Sequence, residues 1–407
     1  MSPLSVAIIG GGAAGQMAAI AAANSGHRVT LLEKNEKLGK KLYITGKGRC
    51  NVTNDCGRDG FFANVIRNPR FLYSAYAAFS ERDMIAFLEK NGCPVKVERG
   101  QRAFPMSDKS SDVQKALDRA LKTVGVQIRL HTNVQGISTA DGVVTGVRTD
   151  RGEEPFDRVI LTTGGMSYPS TGSTGAGFDM ARALGHTVTP LYPSLVPLET
   201  RESWPFALSG ITLKNVRLTA KRGGRTVYSE QGEMLLTHFG VSGPLVLTAS
   251  AYIAEDPAGA ELSIDLKPAI SEVELHARLQ RLLQENPKKA VGGAFSGVLP
   301  TRLLDAVFDQ ARIQPWASAS SFTREQRLAL VTALKGMPLT VKGTRSFSEA
   351  VVTRGGVSVK EIKPSTLESK LVSGLYLAGE ILDVDAFTGG FNLQIAWSTG
   401  ALAGGSI

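Results

Sequence analysis

An apolar run, Val6-Ala7-Ile8-Ile9, passes directly into Gly10-Gly11-Gly12-Ala13-Ala14-Gly15, and an alanine-rich segment follows as far as Gly26. A second apolar run, Val29-Thr30-Leu31-Leu32, then ends at Glu33. Strand, glycine turn, helix, strand and terminal acid, in that order, specify a βαβ unit that binds a dinucleotide. Gly10, Gly12, Ala14 and Gly15 let backbone approach a pyrophosphate, and the helix start offers it N–H groups and a partial positive charge. Glu33 is placed to accept hydrogen bonds from the ribose hydroxyls of an adenosine. A glycine turn in an ordinary α/β protein accounts for the glycines but not for the acid.

A chain of 407 residues implies roughly two or three domains. Its 43% hydrophobic and 20% charged content is that of a globular protein with a substantial core. The apolar stretch 4–23 lacks a preceding basic residue and is interrupted by glycines, so it does not read as a signal peptide. No other segment approaches ~18 uninterrupted apolar residues, so no membrane association is expected. The three cysteines, Cys50, Cys56 and Cys93, have neither zinc nor C-x-x-C spacing. That pattern fits a reducing, cytoplasmic setting without disulfides or metal. The formal net charge is +9, a bias toward polyanions. It concentrates in residues 34–49 (Lys34, Lys37, Lys40, Lys41, Lys47, Arg49) and 214–225 (Lys214, Arg217, Lys221, Arg222, Arg225). Cofactor phosphates account for much of the first window. The second reads equally as a solvated strand face.

Along the chain, helical periodicity at 81–91 and 112–124 alternates with strand patterns at 127–130, 143–149 and 158–161, which predicts a parallel sheet with crossover helices. From about residue 190 to 341 that rhythm stops. Short alternating segments at 195–265 predict a β-barrel or sandwich. Helices follow at 272–285, 301–311 and 324–334, with Ser271 and Thr323 as N-caps. The expected boundaries are 1–190 plus 346–407 for a discontinuous nucleotide-binding domain, 191–270 plus 336–345 for a barrel-like insert, and 271–335 for its helical subdomain.

The sequence holds no second G-x-G-x-x-G and no C-x-x-C, which argues against a disulfide reductase with two dinucleotides. Three further glycine-bearing stretches favour an extended FAD over a lone NAD. Residues 39–51, with Gly46, Arg49 and Asn51, follow the second strand. Gly164 and Gly165 end a strand at 158–161. Gly379, Glu380, Asp383, Gly390, Asn392 and Leu393 precede a final helix, whose N-terminus suits the pyrimidine end of a flavin. Gln394 is a further expected polar partner of the ring or ribityl chain. Lys34, Lys40, Lys41 and Val134 complete the expected cofactor contacts.

Several longer motifs resemble the BaiN/RdsA family of FAD-dependent flavoproteins. They are Gly46-Lys47-Gly48-Arg49-Cys50-Asn51-Val52-Thr53-Asn54, Ser167-Tyr168-Pro169-Ser170-Thr171-Gly172-Ser173-Thr174-Gly175, Thr237-His238-Phe239-Gly240-Val241-Ser242-Gly243-Pro244, and Gly379-Glu380-Ile381-Leu382-Asp383-Val384-Asp385 with Thr388-Gly389-Gly390-Phe391-Asn392-Leu393-Gln394. Ala386 stands where the family pattern has glycine. The resemblance covers nearly the whole chain. It implies an α/β fold: a Rossmann-like FAD/NAD(P)-binding domain carrying an inserted β-barrel and helical domain. It also implies a cytosolic oxidoreductase with FAD bound and NADH or NADPH as transient donor. Activities attributed to the family include reduction of a uridine in large-subunit ribosomal RNA to dihydrouridine, reduction of an enone in bile-acid-like steroids, and oxidation of aminoacetone. The resemblance leaves the oligomeric state open.

Uracil C5=C6 and an enone make the same demand. A hydride reaches one alkene carbon and a proton must reach the other. Three side chains are candidate donors: Cys50, whose thiol Arg49 would activate; His238; and Tyr168. Packing within their turns is the competing explanation for each. Lys288, Lys289, Arg324 and Arg327, with the two basic windows, fit contact with RNA phosphates. The uridine reading leads, and a small-molecule substrate is the alternative.

Overall fold

The computed structural model describes residues 2–407. The chain divides into two compact units, Met1–Pro193 with Phe347–Ile407, and Ser194–Ser346.

The first unit is built on strand β1 (Ser5–Ile9), helix α1 (Ala13–Asn24) and strand β2 (Arg28–Leu32). After their first residues β1 and β2 are buried on both faces, and apart from Thr30 those buried residues are apolar rather than alternating, the pattern of a covered parallel sheet. The sheet runs in the order Leu375–Leu377, Arg158–Leu161, β1, β2, Gln127–Arg129, and every pairing is parallel. Ile9 is level with Leu32 on one side and Leu161 on the other, so three strands end at one height.

Small residues hold α1 close to the C-terminal helix Phe391–Gly405. A Cβ on Gly400 would lie 2.4 Å from the Ala14 carbonyl oxygen, and one on Gly404 would lie 2.2 Å from that of Ala18. Positions increase together along both helices, so the two run parallel. Their backbones touch where any larger side chain would separate them. Trp397 anchors the C-terminal helix from its other side, fully buried, with its indole N–H donating to the Val52 carbonyl at 2.9 Å.

One sequence expectation fails here. The strand Val143–Thr149 is not in the parallel sheet. It is the middle of an antiparallel meander with Val134–Ala140 and Gly152–Pro155. The reason is local: Asp141 and Gly142, with φ of 50° and 75°, make a two-residue turn that folds the strands back on each other.

In the second unit six strands close a barrel in the order Leu198–Thr200, Gly240–Ser242, Arg225–Thr237, Thr212–Arg222, Glu261–Asp265, Met337–Thr344. The helices Glu272–Glu285, Thr301–Ala311 and Arg324–Lys335 share its core through Leu275, Leu279, Val307, Phe308 and Leu330. Ser271 with Glu274, and Thr323 with Gln326, form reciprocal capping boxes at two of these helix starts. The basic window 214–225 lies on the barrel hairpin, where Arg217 stands opposite Asp265, Lys221 opposite Glu261, and Arg222 pairs with Asp256. Of these basic residues Arg222 is ion-paired, and Asp265 is itself bonded to Lys335.

Candidate functional site

The first unit contains a cavity at the common end of its three central strands. Its floor is the turn from β1 into α1. Gly15 is required there by packing: a Cβ would lie 1.9 Å from the Gly10 carbonyl oxygen and 2.6 Å from Thr162 Oγ1. Gly12 differs, since a Cβ would meet no protein atom within 4 Å and would project into the cavity it lines. Gly12 is also the N-cap of α1, with no side chain capping the helix. The first N–H groups of α1 therefore face the cavity without partners from their own helix.

Glu33, buried at 7% exposure, accepts hydrogen bonds from Gly11 N at 2.7 Å, Asn35 N at 2.8 Å and Asn35 Nδ2 at 2.7 Å. These fix both carboxylate oxygens at the cavity wall, and Oε2, with a single donor, keeps a further acceptor position. Thr163, after the strand Arg158–Leu161, lines the same cavity and has a buried hydroxyl without a hydrogen-bond partner among the described residues.

A polar cluster closes the middle. Lys41 Nζ bonds Glu380 Oε2 at 2.8 Å and also the Ser167 hydroxyl. Ser167 Oγ donates to Glu380 Oε1 at 2.9 Å, and Thr353 N donates to the same oxygen at 2.8 Å. Burial pushes the Glu380 carboxyl up. The Lys41 charge and these hydrogen bonds outweigh it and hold the pKa below the ordinary glutamate value.

At the far end the C-terminal helix begins at Gly390, which has φ of 99° and no side-chain cap. Its first turn, Asn392 and Leu393, lines the cavity with Ile395 and Ala396. Gly400 packs level with Ala14, so the two uncapped helix starts are offset along their shared direction. The eight-residue difference corresponds to about 12 Å at 1.5 Å per residue. One cavity thus has two helix N-termini aimed into it, one beside the glycine turn and one far from it. This donor set fits an elongated molecule with anionic or electron-rich groups at both places. An extended FAD, with a pyrophosphate and a pyrimidine edge, is such a molecule.

Of the residues expected from sequence, Gly10, Gly12, Ala14, Glu33, Lys34, Lys40, Lys41, Val134, Gly164, Glu380, Asn392 and Leu393 line this cavity. Others stand behind the wall. Gly15 and Gly379 pack against neighbouring backbone and Ala14, Gly165 against Thr353, and Gly390 against Thr53. Asp383 holds Arg67 Nε at 2.5 Å. Gly46 and Asn51 lie outside the lining. Arg49 is drawn away by Glu98 at 2.5 Å and Asp108 at 2.6 Å and sits over the Phe104 ring at 4.1 Å. Asn392 spends its amide on the turn before it, accepting from Ala386 N at 3.0 Å and donating to Ala386 O at 2.7 Å. Gln394 faces the core, bonded to Thr53, Phe79 and Ser398. The sequence reading missed Thr163, Asn133, the loop 171–175 and Val351–Val352. The threonine-glycine end of the strand at 158–161 gave a signal for Thr163, and the motif 167–175 one for the loop.

The three candidate proton donors separate. Cys50 is fully buried, and burial followed by the neighbouring Cys93 pushes its thiol up rather than down, so the expected activation by Arg49 does not occur. Tyr168 is half-buried with φ of 53°, and its N–H donates to the Phe347 carbonyl. His238 is exposed in the turn between two barrel strands, with its ring 5.0 Å from that of Phe239.

Residues 4–406 match the family model described as the HI0933-like protein Rossmann domain. The chain is 35% identical over 405 residues to the 3-dehydro-bile acid delta(4,6)-reductase of Clostridium scindens, covering 98% of each. It is 32% identical over 399 residues to the ribosomal RNA dihydrouridine synthase of Escherichia coli, covering 96% of this chain and 95% of that one. Among solved structures, the 3-ketosteroid-delta4-(5alpha)-dehydrogenase of Rhodococcus jostii aligns with a TM-score of 0.54 at 17% identity, over 99% of this chain and 96% of that one. This last is a likeness of fold. No helix among the described residues is long and apolar enough to cross a membrane.

Proposed function

The chain belongs to the HI0933-like Rossmann-domain family of FAD-dependent oxidoreductases, and from that premise we propose that it reduces a carbonyl-conjugated alkene, the uracil ring of a uridine in large-subunit ribosomal RNA. The observation that carries the cofactor assignment is the pair of uncapped, offset helix starts opening on one cavity. When bound and reduced, FAD supplies a hydride to the alkene, and NADH or NADPH is the proposed donor that recharges it.

The chain's own residues do the rest. The N–H groups of α1 hold the pyrophosphate, and Glu33 holds the adenosine ribose. The Lys41–Glu380 pair keeps a fixed, neutralised polar floor beside the ribityl chain. The start of the C-terminal helix stabilises negative charge at the pyrimidine edge. Tyr168 and His238 are the proposed sources of the proton in preference to the buried Cys50.

The uridine substrate is supported by the likeness to the Escherichia coli synthase and by the net charge of +9. One observation favours a second reading, a small cyclic enone: the first basic window is largely answered by the cavity, Glu36 and Glu380, and Arg49's acids. The test begins with purified protein carrying bound flavin, identified as FAD after denaturation and bleached anaerobically by NADH or NADPH. Ribosomal RNA from a strain lacking the gene is then mass-mapped. Loss of one dihydrouridine, restored by the wild-type gene, is the expected result. Unchanged dihydrouridine, with rapid reoxidation of the reduced flavin by a 3-keto-4-ene steroid, would replace uridine with the enone.

A further inference from the structure

Most apolar side chains of the helical part of the second unit close on the barrel core, but Trp316 is 75% exposed. Its backbone is not loose. Gly292 N donates to the Pro315 carbonyl at 2.8 Å, Val291 N to that of Ala317 at 2.8 Å, and Ala319 N to that of Lys289 at 3.0 Å. Ala290 and Ser318 face each other as an antiparallel bridge. In such a pairing alternate residues share a face. Ala317, Ala319 and Val291 turn inward, while Trp316, Ser318, Ser320, Ala290 and Lys288 are exposed. An exposed indole on a hydrogen-bonded backbone therefore stands at one end of a small polar face and Lys288 at the other, with the exposed Lys289 next to it in the chain. Neither lysine forms an ion pair with an acid among the described residues, as Arg222 of the barrel hairpin does with Asp256.

We propose that this patch docks a single-stranded segment of the RNA substrate, with a base stacked on Trp316 and the flanking phosphates on Lys288 and Lys289. The inference rests on the uridine reading above. An aromatic face beside unpaired cations is what single strands use, since every base has a π-face and every linkage a charge. The floor between them, Ser318 and Ser320 joined by a 2.8 Å hydroxyl contact, is polar, which suits a nucleotide and not the interior of a lipid layer.

The test uses the flavin-loaded protein and a labelled single-stranded oligouridine, with affinity read by fluorescence anisotropy over a salt series. Trp316→Ala is expected to weaken binding about tenfold, and Trp316→Phe to restore most of it. Lys288→Ala with Lys289→Ala is expected to lower the salt slope by about 1.4, at about 0.7 per phosphate contact. Flavin content and its reduction by NADH or NADPH stay at wild-type level in all three. Wild-type binding left intact by Trp316→Ala overturns the docking patch while the uridine reading stands. Absence of binding by the wild-type protein removes both. Sedimentation with phosphatidylglycerol vesicles that depends on Trp316, with RNA binding unaffected by the variant, overturns the RNA assignment in favour of a membrane contact.

Discussion

Two helices of the second unit and two of the first begin in opposite ways. In the second, helices at 272–285 and 324–335 start with complete capping boxes, each satisfying its own free N–H groups with a side chain. In the first, α1 and the C-terminal helix start on Gly12 and Gly390 with no side-chain cap. Helix Glu81–Lys90 of that same unit carries a full box from Ser80 and Asp83, while Ser110–Thr123 there and Thr301–Ala311 in the second unit also start without a side-chain cap; what sets α1 and the C-terminal helix apart is that their uncapped starts line the cavity. A capped start is a finished piece of structure. An uncapped one keeps its hydrogen-bonding capacity for something that arrives later.

Substitutions can break or sharpen that contrast. The largest effect is expected at Gly15. Gly15→Ala drives a methyl into the Gly10 carbonyl at 1.9 Å and should remove about 3 kcal/mol of stability, read by denaturant unfolding of flavin-free protein. Gly12→Ala meets no protein atom within 4 Å. It should leave flavin-free stability unchanged yet weaken FAD retention about tenfold, or about 1.4 kcal/mol. Equal losses of stability from the two variants would erase the distinction between a packing glycine and a ligand-facing one. Thr323→Ala should cost about 1 kcal/mol in the second unit without altering flavin content.

A smaller effect is expected from pH. The folded Glu380 pKa lies below its ordinary 4.5, so its contribution is complete above that value and lost as pH falls through the folded one. Glu380→Gln should flatten the acid limb of the melting-temperature profile, and a variant with an unaltered limb would remove Glu380 from the account. The smallest signal belongs to Cys50, whose raised, buried thiol should resist iodoacetamide in the folded protein and react after unfolding.

Much of this architecture was legible because it is written in local order. The β1-turn-α1-β2 unit, Glu33 and the N-caps Ser271 and Thr323 are each specified by a few consecutive residues. The helix at 272–285 was placed correctly for the same reason. What escaped depends on where the chain returns. Val351 and Val352 meet the cavity only because separate strands and loops converge on it, and nothing adjacent to them announces it. Arg49 misled because its sequence neighbours suggest a cofactor, whereas its partners Glu98 and Asp108 come from elsewhere in the chain. Cys50 misled similarly: flanking charge pointed to activation, and tertiary burial decided otherwise. The meander at 134–155 was missed although Asp141-Gly142 signalled a hairpin, because the surrounding alternation favoured a parallel sheet.

The close packing of α1 on the C-terminal helix also makes the cavity a calliper. Gly400 and Gly404 seat against Ala14 and Ala18 by backbone contact, so neither helix can slide without a collision, and the gap between the two jaws is set by covalent geometry. The jaws bracket the stretch from phosphate to flavin ring that FMN and FAD share, so preference for the dinucleotide would fall to Glu33 at the cavity wall, which only an adenosine ribose would reach.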